Sequence, residues 1–271
     1  MTPKLIALDM DNTLLKSDRT LSHQNATILK KLHADNHHIV LTTGRPFPNV
    51  QTFLTQLELN KNDDYVILFN GGVVKNISTN ETLLNKRFTL SDRSEIFNLI
   101  HNLNLPIDIV CPEIVYSIAD FGQSNYVNLI GKLLHYQQVS ITDLPTTLTF
   151  NKFVVCETED KLNYLENILN HTPMLTKNIS FTRSRRTLLE FVPTNVSKGA
   201  ALKVLLKKLS LTSKDLIVFG DEANDLSMFK LATVSVAMAN AIPLIKSAAT
   251  DITSSNEEDG VATFLSSYFN L

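Results

Sequence analysis

Apolar residues are arranged along this chain in two textures. In the two outer thirds they form short solid runs. These are Leu5-Ile6-Ala7-Leu8, Ile39-Val40-Leu41, Tyr65-Val66-Ile67-Leu68-Phe69, Leu216-Ile217-Val218-Phe219 and Val234-Ser235-Val236-Ala237-Met238. Such runs read as strands buried on both faces. Between them the spacing is helical. Ile28, Leu29 and Leu32 share one face behind Ser22, a residue type that caps helix N-termini. Further helices are expected over 49–57, over 200–209 directly after Lys198, and from about Gly260 to the end. Strands alternating with helices predict a doubly wound, mostly parallel α/β sheet with right-handed crossovers. The middle third mixes strand-like pieces (84–88, 107–111, 150–157, 179–183) with helices over 91–103 and 159–169. That pattern suits an α+β module inserted into the α/β domain. The expected organisation is a core from 1–81 and 189–271 and an insertion over 82–188.

Composition narrows the function classes. The chain has 271 residues, 44% of them apolar and 19% charged. It can fill a core of domain size. Its formal net charge of −2 gives no support for a nucleic-acid or anionic-membrane surface. Cys111 and Cys156 are its two cysteines, too few for a disulfide framework. Met1-Thr2-Pro3-Lys4 runs straight into the first apolar strand, unlike a signal peptide. No apolar run has the length of a membrane span. A cytoplasmic protein is expected, as a monomer or small homo-oligomer.

Candidate chemistry sits where strands end or helices begin. Asp9 and Asp11 follow the first strand; residues two apart in extended backbone point the same way. Close carboxylates can hold a metal or act as nucleophile and acid/base partner, or they can simply cap the strand before a turn. Thr43-Gly44 places a hydroxyl beside backbone that can closely approach a phosphate, or forms an ordinary turn. Lys198 opens a helix whose free N–H groups favour an anion, or is a solvated first-turn residue. Gly220-Asp221-Glu222-Ala223-Asn224-Asp225 gathers acidic and amide groups at a strand-to-helix junction. Each has a bland reading alone; in this order and on these elements the bland readings fail together.

The chain resembles the haloacid-dehalogenase-superfamily phosphatases, in their Cof-like branch with a cap inserted late in the core. The matching residues are Asp9-Met10-Asp11-Asn12-Thr13-Leu14-Leu15, Thr43-Gly44-Arg45, Val196-Ser197-Lys198-Gly199 and Gly220 to Phe229. Softer matches lie in Val236-Ala237-Met238-Ala239-Asn240-Ala241 and Glu258-Asp259-Gly260-Val261-Ala262. The resemblance covers both outer thirds. It covers the middle only as a cap-sized insertion.

What the resemblance implies fits the residues. It implies Mg²⁺-dependent hydrolysis of a small phosphorylated metabolite, a sugar phosphate or phosphorylated cofactor. Asp9 would attack and form an aspartyl-phosphate, with Asp11 as acid and then base. Asp9, the Asp11 carbonyl and Asp221 would hold the metal, and Asp225 would orient that shell. Thr43, Gly44, Lys198 and Asn224 would hold the phosphoryl oxygens. Arg45 would reach the substrate or cap, or lie on the surface. A phosphotransferase or mutase, and a non-catalytic phospho-ligand sensor, are the alternatives on the same scaffold. One departure stands out: Asn12 occupies a position where the family's motif usually has Gly, and Asn is among the few residues that tolerate a positive φ.

Other residues carry weaker expectations. Asn70-Gly71-Gly72 reads as a turn, with a substrate contact as the alternative. Glu190 is a candidate site contact. His33, His37 and His38 read as exposed residues rather than ligands. Arg183, Arg185 and Arg186 read as a solvated strand end or a second anion site. Tyr116, Phe121, Tyr126 and Tyr136 read as packing.

Overall fold

The protein is described by a computed structural model covering residues 2–91, 94–130 and 134–271. It divides into two compact units. The first comprises Met1–Gly44, Val50–Leu84 and Ser197–Leu271, and the second comprises Arg45–Asn49 and Asn85–Val196.

The first unit is built on a five-stranded parallel sheet. Its order is Asp251–Ile252, Val234–Ala237, Leu216–Gly220, Leu5–Leu8, His38–Leu41. Every residue of Leu5–Leu8 is fully buried, as a central strand covered on both faces requires. The covering helices pack in pairs: His23–Ala34 with Gly260–Phe269, and Lys198–Lys208 with Leu226–Phe229. Ser22 caps the first of these as expected, its side chain accepting from the Asn25 N–H at 3.1 Å. Tyr65–Leu68 continues beyond His38–Leu41 through a bridge between Thr42 and Ile67, and pairs antiparallel with Val73–Asn76. The chain leaves Leu5–Leu8 for one neighbour and returns much later as the other. The carboxyl ends of Leu5–Leu8 and Leu216–Gly220 therefore flank the topological switch point, where open α/β sheets bind ligands.

The second unit has a six-stranded mixed sheet. Its order is Ile179–Arg185, Leu188–Pro193, Lys152–Cys156, Asp108–Val110, Ile114–Ile118, His135–Val139. One face packs on the helices Ser94–Asn102 and Glu159–His171. Its core joins Ile96, Phe97, Ile100, Leu162 and Leu165 to Phe153, Ile109 and Phe191. Phe153 and Phe191 stack in parallel, centroids 4.4 Å apart. The expected start of the Ser94–Asn102 helix at residues 92 and 93 lies outside the described residues. The other face carries buried polar groups. Lys152 pairs with Glu190, and Asp108 accepts from Ser124 and from the Tyr136 hydroxyl at 2.7 Å. Burial raises the Asp108 carboxyl above the usual range despite those donors. Cys111 and Cys156 are both buried and free, and burial pushes each thiol up to about 11.

Three sequence expectations need correction. His33 and His37 are buried, at 5% exposure each. His33 Nε2 lies 2.9 Å from Asp64, and His37 Nδ1 accepts from the Lys4 N–H at 3.0 Å. Their partners lie about thirty residues away, beyond the reach of local pattern. Asp9 and Asp11 do not project from extended strand: the strand ends at Leu8 and the chain turns at once, with Leu15 N–H bonded to the Met10 carbonyl at 2.9 Å. Arg183 is engaged within its own unit. It pairs with Glu166 at 2.5 Å and donates to Asn163 Oδ1 at 3.1 Å, so it is a held, part-buried residue rather than a solvated strand end.

Candidate active site

The site grows out of strand register. Leu8 lies beside Phe219, and the Asp9 N–H continues the ladder by donating to the Phe219 carbonyl at 3.1 Å. Asp9 and Asp221 thus emerge from adjacent strands, each directly past the last ladder residue. On the other side, the Thr42 N–H donates to the Leu8 carbonyl at 2.7 Å and the Thr43 N–H to the Ile67 carbonyl at 2.9 Å. This sets the Thr43-Gly44 loop beside Asp9.

Lys198 arrives from a helix that must come close. Ser197 caps Lys198–Lys208 by accepting from the Ala200 N–H at 3.1 Å. Gly199 lies against Ser227 so tightly that a Cβ would strike the Ser227 carbonyl. The approach delivers the Lys198 ammonium, with no solvent exposure, onto Asp9 Oδ1 and onto Asp225 Oδ1 at 2.6 Å.

The carboxylates are held from several directions. Asp225 Oδ2 accepts from the N–H groups of Asp221 (2.9 Å) and Glu222 (3.1 Å). Thr13 Oγ1 donates to Asp221 Oδ1 at 2.8 Å. Ligand oxygens of Asp9, Asp221 and Asp225 all lie within 4.8 Å of one another, and all three residues are buried. Asp11 is half-buried and outside this triad.

The electrostatics show what kind of ligand the site suits. Burial pushes the Asp9 carboxyl up to about 7, opposed by Lys198 and reinforced by Asp225 and Asp11. Burial also raises Asp221 well above the usual range, with Asp9 and Asp225 adding to the effect. Lys198 is pushed upward by its two carboxylates against its own desolvation. Three buried carboxylates against one ammonium leave an excess of negative charge in low dielectric. An all-oxygen donor set carrying that excess fits a hard divalent cation.

Of the nine singled-out residues, Asp9, Lys198, Asp221 and Asp225 meet in one buried cluster, with the Thr43-Gly44 loop set beside Asp9 by its backbone bonds. Asn224 stands in the same loop as Asp225 and donates to Asn70 Oδ1 at 3.2 Å. Arg45 is grouped with the second unit, where its Nη1 donates to the Asn49 carbonyl at 3.4 Å. Glu190 is paired with Lys152 in the second unit's sheet. Thr13 and Asn240 have no role assigned from sequence, and Asn70 is expected there only as part of a turn or as a substrate contact. Thr13 and Asn240 do stand inside the motif blocks, which was the available signal.

The site is a buried carboxylate–lysine cluster at the switch point of a parallel sheet, with an oxygen donor set that fits a divalent cation. The chain belongs to the haloacid dehalogenase-like hydrolases, whose family pattern matches residues 6–265. It is similar to the protein M6_Spy0533 of Streptococcus pyogenes, 32% identical over 267 residues and 97% of each chain. The Bacillus subtilis 5-amino-6-(5-phospho-D-ribitylamino)uracil phosphatase YitU is 29% identical over 290 residues, covering 99% of this chain and 98% of its own. Among solved structures, a haloacid dehalogenase-like hydrolase from Bacteroides thetaiotaomicron superposes with a TM-score of 0.84 at 29% identity, covering 99% of this chain and all of that one. The protein is therefore a phosphatase of this superfamily with an inserted cap. Among the described residues, no helix is long and apolar enough to cross a membrane.

Proposed function

We propose that the protein hydrolyses a small phosphorylated metabolite, a sugar phosphate or phosphorylated cofactor, using Mg²⁺ and an aspartyl-phosphate at Asp9. The observation that carries this reading is the Asp9–Lys198–Asp225 chain beside Asp221. Asp9 presents one carboxylate oxygen to Lys198, which leaves the other for in-line attack on phosphorus. Lys198 neutralises charge on the phosphoryl oxygens as they become equatorial in the transition state. Asp221, Asp9 and the Asp11 carbonyl would hold Mg²⁺, which when bound offsets the repulsion between an anionic nucleophile and an anionic substrate. Asp225, with both oxygens occupied by Lys198 and two backbone N–H groups, orients rather than reacts. Asp11, outside the buried triad, protonates the leaving oxygen and later accepts a proton from the hydrolytic water. Thr43, the Gly44 N–H and Asn224 complete the phosphoryl subsite, and Arg45 is the candidate contact to the rest of the substrate.

A panel of phosphorylated metabolites with Mg²⁺, read by phosphate release, tests this. The YitU likeness puts 5-amino-6-(5-phospho-D-ribitylamino)uracil in that panel. Hydrolysis by the wild type and its loss in Asp9→Asn are expected. Equal rates in both proteins would overturn the assignment of Asp9. Phosphate transfer to an acceptor alcohol, with none released as orthophosphate, would make the protein a phosphotransferase.

A further inference from the structure

The segment Phe69-Asn70-Gly71 has no part in the chemistry above, yet its backbone is contorted. These three consecutive residues have φ of 53°, 56° and 102°. Gly adopts such angles freely and Asn tolerates them, but a bulky buried Phe there is an outlier. Conformations of this kind persist only where their surroundings over-determine them, and they cluster at functional sites.

The surroundings here are three of the site's own loops. The Asn70 N–H donates to the Thr43 carbonyl at 2.9 Å. Gly71 lies so close to the start of the Lys198 helix that a Cβ would strike the Ser197 carbonyl. Asn70 Oδ1 accepts from Asn224 Nδ2 at 3.2 Å. Asn224 Oδ1 is buried and has no hydrogen-bond partner among the described residues, so the amide is fixed through its nitrogen, by Asn70. One strained turn thus braces the Thr43, Lys198 and Asn224 segments against each other.

We infer that Asn70 is a positioning residue for the phosphoryl subsite, aiming the Asn224 amide and setting the spacing of the three segments around the bound phosphate. The inference rests on the phosphatase reading. Its test uses p-nitrophenyl phosphate as substrate and inorganic phosphate as inhibitor. Asn70→Gly keeps the positive φ and removes only the side chain. Its inhibition constant for phosphate is expected to rise about tenfold, the upper end for one lost neutral hydrogen bond, with the melting temperature little changed. Asn224→Ala should show a similar rise. The double variant should show about tenfold again rather than about a hundredfold, because the two side chains act as one unit. Asn70→Asp, which keeps the backbone preference and sets a charge beside the subsite, should raise the constant above that of Asn70→Gly. An unchanged constant in Asn70→Gly or Asn70→Asp, or additive effects in the double variant, would overturn the inference. Activity of Asp9→Asn equal to wild type would instead overturn the phosphatase reading beneath it.

Discussion

Asn240 Nδ2 donates to the backbone carbonyl of Asn12 at 2.8 Å, which ties the last third of the chain to the turn carrying Asp9 and Asp11. Asn12 sits at φ 60°, in the left-handed region. The bond is extended by the Asn256 N–H, which donates to Asn240 Oδ1 at 3.0 Å, while Asn256 Nδ2 holds the Leu15 carbonyl at 3.0 Å. Asn240→Ala should lower kcat several-fold while costing only about 1 kcal/mol of stability, the net worth of one hydrogen bond. Asn12→Gly should leave turnover within about threefold of wild type, since Gly adopts the same φ. Asn12→Val should destabilise by about 1–2 kcal/mol or more. Steady-state kinetics and denaturant titration of the three variants check this.

Asp221→Asn separates stability from function. The amide keeps an acceptor for the Thr13 hydroxyl and removes one of three crowded negative charges. In metal-free buffer the variant should melt a few degrees above wild type, as relief of about 1 kcal/mol moves a chain of this size by roughly 2–4 °C. Added Mg²⁺ should raise the wild-type melting temperature by mass action and leave the variant unmoved. Thermal shift with and without MgCl₂ reads both effects. A variant that melts below wild type without metal would mean that charge crowding is not the cost of the site.

Lys198→Met keeps the stem and removes the ammonium, so Asp9 and Asp225 face each other uncompensated. Breaking a buried pair in this way costs about 3–5 kcal/mol. If Lys198 steadies the phosphoryl oxygens as proposed, kcat should fall by about 10²–10³-fold. The stability loss should be largest above about pH 7, where Asp9 is ionised, and can be followed by urea titration across pH.

His37 sets a pH dependence of stability away from the site. Burial lowers its pKa below the ordinary histidine value, with Lys4 and His38 adding and Asp35 opposing. Nδ1 must stay unprotonated to accept from the Lys4 N–H. In the window between the lowered folded value and the ordinary one, the unfolded chain binds the proton and the folded chain does not. Stability is therefore complete above about pH 6.5 and declines as pH falls through the folded value. His38 is lowered for the same reason, against Asp63 and Asp64, and steepens the slope. His37→Asn, whose amide oxygen can take over from Nδ1, should flatten the decline of stability below about pH 6.5. An unchanged slope would assign the dependence elsewhere.

Much of the core was legible because its signals are local. Short solid apolar runs bounded by turn residues suit two-sided strands, and Ser22 marks a helix start in the chemistry of a single residue. The motif residues were legible as types in order, so Asp9, Lys198, Asp221 and Asp225 could be singled out before they were seen together. What stayed hidden depends on partners distant in sequence. The burial of His33 follows from Asp64, and that of Glu190 from Lys152, and neither partner is marked by any periodicity. On the second unit's sheet Lys152, Glu190 and Asp108 keep the alternation with the core residues Phe153, Leu189, Phe191 and Ile109, so their pattern reads as a solvated face, and their burial is not marked in it. The brace at Asn70 was hidden for another reason: Asn-Gly reads equally as a solvent-facing turn.

The central place of Leu5–Leu8 also fixes when the enzyme can become whole. One of its edges pairs with His38–Leu41, but the other waits for Leu216–Gly220, about 170 residues further along. At ribosomal speed that interval lasts on the order of 10 s. Through it the strand that leads into Asp9 carries an open, apolar edge while the second unit, with a hydrophobic core of its own, is being made. Pairing across so long a loop is the slow kind of contact, so assembly of the catalytic sheet should be the late step of folding. A chain truncated before Leu216 would lack Asp221, and it would also expose the hydrogen-bonding edge that this enzyme otherwise hides at its centre.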